Sequence, residues 1–322
     1  MTPPLVLRDP SSGSEAHLAA HLGFNCFKFD AHLGSRVVRV LDTADDFPSP
    51  KYRPSAYGIP ILFPFPNRIE RGRYTLDGKE YELPEGAVPY DRFGNAIHGF
   101  CLDRPWRVLR SGPSFALGAF QLSVDAPDRM QYWPADFLIE VRYEVLRATL
   151  RADIRIANPS SQPLPWGFGT HPYFRLPLAA ESQIGRCTIE APVSELWELD
   201  GFLPTGRRVA IPEEKNLADA IYADLLQIDD VFTGVQSTDG TVEAVIIDED
   251  AGLQVTQRTP SEYRELVVFT PPRGGAICLE PYTCVTNAVN LAARGLDAGW
   301  RVLPPGGEFR TWIEIVASPV LA

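Results

Sequence analysis

Two histidines and one glutamate stand in sequence contexts that suit proton transfer. His171 lies in "WGFGTHPYFRLP" and His98 in "GNAIHGF", each beside glycines that let backbone or ligand approach closely. Pro172 favours an extended backbone at His171. Imidazole has an unperturbed pKa of about 6.5, so it gives and takes a proton near neutral pH. Considered alone, each histidine fits a hydrogen-bonded core position at least as well as a catalytic one.

Glu280 is the candidate base. The run "AICL" (276–279) is typical of a buried strand, and Glu280 follows it immediately before Pro281. A carboxylate at the end of an apolar strand loses hydration, which disfavours its charged form and raises its pKa towards the range of a general base. The alternative is a solvent-exposed strand end, where nothing shifts the pKa.

Three further polar residues are candidates for binding. Arg68 follows an aromatic and proline run in "ILFPFPNRIERGRY", and Asp229 and Asp230 are adjacent in "IDDVFTG". A surface arginine and a turn-initiating aspartate pair are the alternative interpretations.

Metal-binding patterns are weak in this sequence. His17 and His21 are four apart, but no third ligand has a convincing spacing, and His32 falls at a predicted hairpin turn, so all three are predicted to lie at the surface. The five cysteines are scattered and never form a CxxC, which favours reduced, buried thiols in a cytoplasmic protein.

The elements that must position these residues are predominantly strands. Eight segments are short, rich in β-branched or aromatic residues, and often alternate apolar with polar residues. These segments are "FNCFKFDA", "SRVVRVLD", "FLIEVRYEV", "ATLRADIRIAN", "EAVIIDED", "GLQVTQRT", "ELVVFTPP" and "FRTWIEIVA". Helical periodicity is best in "NLADAIYADLLQ" (216–227). The sequence therefore predicts an all-β protein, a large antiparallel β-sandwich, with residues 1–322 in a single domain.

Composition excludes several classes of partner. The net charge is −11 with a pI of about 5.0, and no dense Lys/Arg run occurs, so neither nucleic acid nor an anionic membrane surface is an expected partner. The N-terminus lacks the pattern of a signal peptide, and no apolar run has transmembrane length. We expect a cytoplasmic location.

Taken together, the motifs resemble those of the aldose 1-epimerases (galactose mutarotases). The resemblance covers most of the chain after about residue 50, with order and approximate separation in agreement. The matching segments are "YGIPILFPFPNRIERGRYTLDGKEYEL", "NAIHGF", "THPYF", "DDVFTG", "ICLEPYT" and "LPPGGEFRTWIEIV". The resemblance implies a galactose-mutarotase-like supersandwich of antiparallel sheets with few short helices.

The resemblance also implies an activity, the interconversion of the α and β anomers of a free hexose such as glucose or galactose. Glu280 would be the base that takes the proton of the C1 hydroxyl, and His171 the acid that protonates the ring oxygen. Arg68, His98 and Asp229 would bind the sugar, with Asp229 preferred to Asp230. No metal and no organic cofactor is implied.

Other expectations follow from these roles. Phe232 or Tyr173 could lie against the C–H face of the sugar, and the Glu280 carboxylate should raise the pKa of a nearby His171.

Two alternative functions remain open. The additional arginines Arg71, Arg73 and Arg175 allow a phosphorylated or otherwise anionic sugar as substrate, and the same fold could serve as a non-catalytic carbohydrate-binding or sensing module.

Overall fold

The structure is a computed structural model that describes residues 3–320, most of which lie in short strands and turns. The strands are β1 (Leu5–Arg8), β2 (Glu15–Ala19), β3 (Asn25–Leu33), β4 (Arg36–Arg39), β5 (Ile61–Leu62), β6 (Arg68–Ile69), β7 (Arg73–Leu76), β8 (Lys79–Glu82), β9 (Ala96–Ile97), β10 (Arg107–Ser111), β11 (Phe115–Gln121), β12 (Leu138–Leu146), β13 (Thr149–Ala157), β14 (Leu164–Trp166), β15 (Gly169–Thr170), β16 (Tyr173–Arg175), β17 (Cys187–Glu190), β18 (Glu195–Asp200), β19 (Leu203–Ala210), β20 (Ile221–Tyr222), β21 (Asp229–Thr233), β22 (Thr241–Asp248), β23 (Leu253–Pro260), β24 (Glu265–Phe269), β25 (Ala276–Tyr282), β26 (Arg301–Leu303) and β27 (Glu308–Pro319). The helices are α1 (Leu122–Asp125), α2 (Ala288–Ala293) and the 3-10 turns Glu70–Gly72, Pro127–Tyr132, Ile184–Arg186, Glu213–Lys215, Leu217–Asp219 and Ala223–Leu225.

The predicted strands are all present. The eight segments correspond to β3, β4, β12, β13, β22, β23, β24 and β27. All pairings between these strands and their neighbours are antiparallel, and the helices are few and short. The prediction of an all-β fold built from antiparallel sheets is confirmed. Among the described residues, no helix is long and apolar enough to cross a bilayer.

The predicted helix at 216–227 is wrong. This segment forms two 3-10 turns on either side of β20, and Ala220 adopts a left-handed φ of 52° that an α-helix does not allow. Leu217, Ala223 and Leu226 are buried, so the apolar spacing serves the core without a helix. Pairing of β20 with the edge of β17 satisfies backbone groups there, and tertiary contacts thus override a weak helical preference.

The larger sheet has nine strands in the order β10-β11-β12-β13-β27-β23-β22-β17-β20. Its central strands are long and alternate between buried and partly exposed residues along most of their length, as in β12 and β13. This alternation is expected for a sheet with one face against the core and the other towards solvent.

The second sheet has eight strands and carries most of the candidate site. Seven follow the order β19-β18-β21-β24-β25-β15-β5, and β16 also pairs with β25. Every residue of β25 is buried, because neighbouring elements cover both of its faces. Smaller sheets complete the fold: β1–β4 form one, and β6 with β9, β7 with β8 and β14 with β26 form two-stranded pairs.

The two large sheets pack face to face. A small apolar cavity between them is lined by side chains from β5, β12, β13 and β27, and Gln257 Nε2 of β23 donates a hydrogen bond of 3.0 Å to the Leu279 carbonyl of β25. The main apolar cluster draws residues from Leu7 to Ala317. The assignment of the whole chain to a single domain stays a prediction.

Candidate active site

Glu280 lies in the middle of the eight-stranded sheet. It is opposite Val267 of β24, and β25 continues past Pro281 to Tyr282 rather than ending at the glutamate as the sequence suggested. Pairing on both sides of Pro281 keeps the ladder intact. Only 2% of Glu280 is exposed, and the Tyr282 hydroxyl donates a hydrogen bond to its Oε2. The solvent-exposed alternative for this carboxyl group is therefore excluded.

His171 follows β15 and faces Glu280. Its Nε2 lies 3.3 Å from Glu280 Oε1, and its backbone N–H donates to the Pro60 carbonyl. The Tyr173 ring stacks on the imidazole with centroids 4.6 Å apart and an interplanar angle of 7°. Because Tyr173 Oη is itself hydrogen-bonded to the Ser55 carbonyl, the stacking partner is held in place.

The two glycines before His171 have a packing role. A Cβ atom on Gly169 would lie 2.2 Å from the Tyr282 ring, and one on Gly167 would lie 2.3 Å from Cys284 Sγ. Only glycine allows β15 to approach β25 this closely. That approach sets the distance between His171 and Glu280.

His98 and Arg68 are positioned together by the pairing of β6 with β9. The ring of His98 lies edge-on to that of His171, 5.6 Å away between centroids. His98 has a left-handed φ of 69° and donates its N–H to the Asn67 carbonyl, so the turn aims its side chain at His171. Its buried Nδ1 has no hydrogen-bond partner among residues 3–320.

Arg68 is held mainly by Asp91 and Phe202, neither of which was predicted as a site residue. Its Nε lies 2.7 Å from Asp91 Oδ2, its guanidinium lies over the Phe202 ring, and its Nη2 is 3.8 Å from Asp229 Oδ2. Asp91 belongs to the turn "YDRFGN", where it also accepts backbone N–H groups, so its sequence context indicates a turn residue and not an ion-pair partner.

The two adjacent aspartates separate clearly. Asp229 faces Arg68, whereas Asp230 Oδ2 accepts a hydrogen bond from Lys215 Nζ at 2.6 Å. Successive side chains of a strand point to opposite faces, and β21 begins at Asp229. The structure therefore brings Asp229, and not Asp230, to Arg68.

The five predicted side chains form a gradient of exposure. Glu280 is 2% exposed, His98 and His171 are each 7% exposed, and the side chains of Arg68 and Asp229 are 13% and 29% exposed. The arrangement thus opens to solvent on the side of Asp229 and is most enclosed at Glu280.

Burial controls the protonation of the pair. Loss of hydration raises the pKa of Glu280 well above its ordinary value, although the Tyr282 hydrogen bond opposes this. Loss of hydration also lowers the pKa of His171 to about 3, with Arg68 and Arg273 acting in the same direction. The expectation that Glu280 would raise the pKa of His171 is therefore wrong. Loss of hydration is the largest influence on the imidazole, so it determines the direction in which the pKa of His171 moves.

Two other expectations need correction. Phe232 is fully buried in the core and cannot contact a ligand, whereas Tyr173 is 5% exposed and stacks on His171. Arg71 and Arg73 line a groove with Glu82 and Asn290, and Arg175 lines a separate pocket with His17. The cations besides Arg68 that act on the site are Arg273, which affects the pKa of His171, and Arg92, which affects the pKa of Asp229.

The remaining histidines take no part in this site. His17 Nε2 lies 2.7 Å from Glu15 Oε1, and His32 lies within β3 rather than in the predicted turn. Within residues 3–320, one set of three or more side chains has its His, Cys or carboxylate atoms close enough to share an ion, namely His171, Cys278 and Glu280. All five cysteines are free and buried, as predicted.

Comparison with known proteins gives the family. The sequence profile described as aldose 1-epimerase matches residues 30–316, so the chain belongs to the aldose 1-epimerase family. It is 25% identical over 244 residues to the uncharacterized protein YihR of Escherichia coli K12, with 75% of this chain and 74% of that protein aligned. It is 32% identical over 153 residues to the galactose mutarotase of Bos taurus, covering 45% of this chain and 40% of the bovine protein.

Solved structures agree on the fold. A galactose mutarotase-like protein from Clostridium acetobutylicum superimposes with a TM-score of 0.84 at 24% identity, covering 96% of this chain and 93% of the other. The GalM/aldose epimerase homologue from C. elegans gives a TM-score of 0.79 at 19% identity, covering 99% and 100%. The galactose-mutarotase-like fold is thus shown, and it includes the N-terminal residues that carried little sequence resemblance.

Proposed function

We propose that this protein is a mutarotase that interconverts the α and β anomers of a free hexose such as glucose or galactose. The observation that carries the proposal is the 3.3 Å contact between His171 Nε2 and Glu280 Oε1 in a member of the aldose 1-epimerase family. The two oxygens that must exchange protons in a hemiacetal are bonded to the same carbon. An acid and a base in contact can therefore each reach one of them.

In the proposed reaction, Glu280 accepts the proton of the C1 hydroxyl while the bond between C1 and the ring oxygen breaks. The electron pair of the broken bond goes to the ring oxygen, which receives a proton from His171, and O1 forms the aldehyde double bond to C1. After rotation about the C1–C2 bond, the ring oxygen attacks the other face of C1. His171 then takes back its proton, and Glu280 returns the other to O1.

Burial favours a neutral carboxylic acid and a neutral imidazole. Beyond the N–H of neutral imidazole, this pair holds one titratable proton. The reacting form, a carboxylate beside an imidazolium, holds the same proton and differs only in its position across the 3.3 Å contact. Hydrogen bonds from the C1 hydroxyl to Glu280 and from His171 to the ring oxygen would favour the ion pair. The protonation expected at rest is therefore compatible with catalysis at neutral pH.

The proposed binding residues are Arg68, His98 and Asp229. A guanidinium held by Asp91 presents fixed donors, and a partly exposed carboxylate accepts hydrogen bonds from sugar hydroxyls. The buried Nδ1 of His98 has no hydrogen-bond partner in the described part of the protein, so a ligand that supplies a hydrogen bond there would bind more favourably. Tyr173 would act as a positioning residue, because it stacks on His171.

A second candidate is a mutarotase of an anionic sugar. Arg92 favours it, because this cation acts on Asp229 and forms no ion pair within the described part of the chain. Arg273 contributes less, since its charge is paired with Asp42 at 2.6 Å. A non-catalytic binding module is disfavoured, because binding alone does not require a buried carboxyl group in contact with a buried histidine.

Polarimetry distinguishes these functions. The optical rotation of freshly dissolved α-D-glucose and α-D-galactose should fall to its equilibrium value faster with the protein than without it. Glucose 6-phosphate tests the anionic alternative. Acceleration of the phosphorylated sugar alone would favour an anionic substrate, and acceleration of none would contradict a mutarotase of these sugars.

The five buried free thiols support a cytoplasmic location for this activity.

A further inference from the structure

Cys278 is a buried nucleophilic group that the proposed reaction does not use. It lies two residues before Glu280 on β25, so the two side chains point to the same face of the strand. One ligand atom from each of Cys278, Glu280 and His171 lies within 4.8 Å of the other two. The thiol is therefore adjacent to the acid–base pair and not merely somewhere in the same core.

The geometry fits a small soft cation. Three atoms no more than 4.8 Å apart have a common centre within about 2.8 Å of each, and zinc is bound by Cys, His and carboxylate ligands at about 2.0–2.3 Å. Side-chain movements of at most about 0.5–0.8 Å would close the difference. Thiolate and imidazole together select borderline-soft ions such as Zn²⁺ over Mg²⁺ or Ca²⁺.

We propose that His171, Cys278 and Glu280 form an inhibitory site for Zn²⁺ and similar thiophilic divalent cations. The ion would occupy the lone pairs of both groups that must exchange protons with the sugar, and it would exclude the C1 region of the substrate. Binding of the metal does not depend on the proposed function, whereas inhibition of mutarotation rests on it.

Charge balance supports such a complex. A dication would meet a thiolate, a carboxylate and neutral His171, so the two negative ligands would balance the charge of the ion. The surrounding charged groups Asp42, Asp229, Arg273 and Arg68 carry two negative and two positive charges, which offset one another.

Cobalt provides a readout that is independent of activity. Titration of the full-length protein with Co²⁺ at mildly alkaline pH should produce the near-ultraviolet band of cobalt bound to thiolate. Cys278→Ala should abolish the band, and Cys284→Ala, which removes a buried thiol just beyond the end of β25, should retain it. Cys278→Ser, with a hydroxyl in place of the thiol, serves if the alanine variant does not fold. Absence of the band in the unaltered protein, or its persistence without Cys278, would overturn the proposal.

Inhibition is measured separately by polarimetry. Zn²⁺ should slow mutarotation reversibly, a chelator should restore the rate, and a higher sugar concentration should weaken the inhibition. Cys278→Ala should keep its metal-free rate but need at least about tenfold more Zn²⁺ for half-inhibition. A cobalt band without any mutarotation would leave the metal site standing and reject the proposed function. Equal inhibition of the alanine variant and the unaltered protein would reject the site.

Discussion

The two large sheets use their buried surfaces in different ways. In the nine-stranded sheet, β12 and β13 bury one residue in two, and the side chains turned inward are almost all apolar. In the eight-stranded sheet, all seven residues of β25 are buried, among them Cys278, Glu280 and Tyr282. The two strands β12 and β13 thus supply apolar contact, whereas β25 also buries polar groups that lose hydration.

This difference suggests that the nine-stranded sheet contributes mainly to stability and that the eight-stranded sheet holds the residues of the proposed reaction. Burial of an ionisable group costs free energy, and it disfavours the charged forms of both Glu280 and His171 by raising the pKa of the carboxyl group and lowering the pKa of the imidazole. The apolar contacts of the opposite sheet can offset that cost. Substitutions of apolar residues in the nine-stranded sheet should therefore change stability, and substitutions of Glu280 and His171 should change the rate.

The largest effect is expected from Glu280→Gln. The amide keeps the shape of the side chain but cannot accept the C1 proton, so the rate of mutarotation should fall about 10²–10⁴-fold. Glu243→Gln, on β22 of the nine-stranded sheet and 49% exposed, is the matched control and should keep the rate. Polarimetry at saturating sugar gives both values. A full rate in the Glu280 variant would remove this residue from the reaction.

A comparable effect on stability alone is expected from Ile139→Ala in β12. The side chain is fully buried, and its truncation should lower the free energy of unfolding by about 2–5 kcal/mol. Leu146→Ala at the end of the same strand is 61% exposed and should change stability by less than about 0.5 kcal/mol. Denaturant unfolding measures both. If the Ile139 variant lost activity per folded molecule, the nine-stranded sheet would affect the reaction as well as stability, and the assignment of different roles to the two sheets would be incorrect.

A smaller effect, on affinity, is expected from Asp229→Asn. Loss of the negative charge weakens hydrogen bonds from sugar hydroxyls, so KM should rise about tenfold with kcat changed less. Asp230→Asn is the neighbouring control, because its partner is Lys215 outside the site, and KM should stay the same. Equal effects of the two substitutions on KM would show that the orientation of β21 does not determine binding.

The sequence predicts the two sheets to different extents. Five of the nine strands of the larger sheet, β12, β13, β22, β23 and β27, were predicted, because their residue patterns are local. The candidate site residues were identified through motifs, but the Asp91 partner of Arg68 and the burial of Phe232 depend on contacts between distant segments. The pKa direction of His171 likewise depends on total enclosure, which no spacing of residues reveals.

The smallest effect is expected from changes of pH around neutrality. The proposed reaction requires one proton on the pair formed by Glu280 and His171, whichever of the two groups holds it. A second proton binds only when the pH falls towards the lowered pKa of His171, about 3. The single proton is lost only when the pH rises through the raised pKa of Glu280. Between these limits the rate should stay constant, because the number of bound protons does not change.

Outside that plateau the rate should fall about tenfold per pH unit on either side, with the acidic limb assigned to His171 and the alkaline limb to Glu280. This assignment reverses the order of two isolated side chains, in which glutamate titrates below histidine. Residual activity of Glu280→Gln should lack the alkaline limb, and that of His171→Asn should lack the acidic limb. A rate profile of kcat/KM against pH for the three proteins measures this. If the glutamine variant instead lost the acidic limb, the carboxyl group would be ionised at neutral pH, and burial in β25 would not control the protonation of the pair.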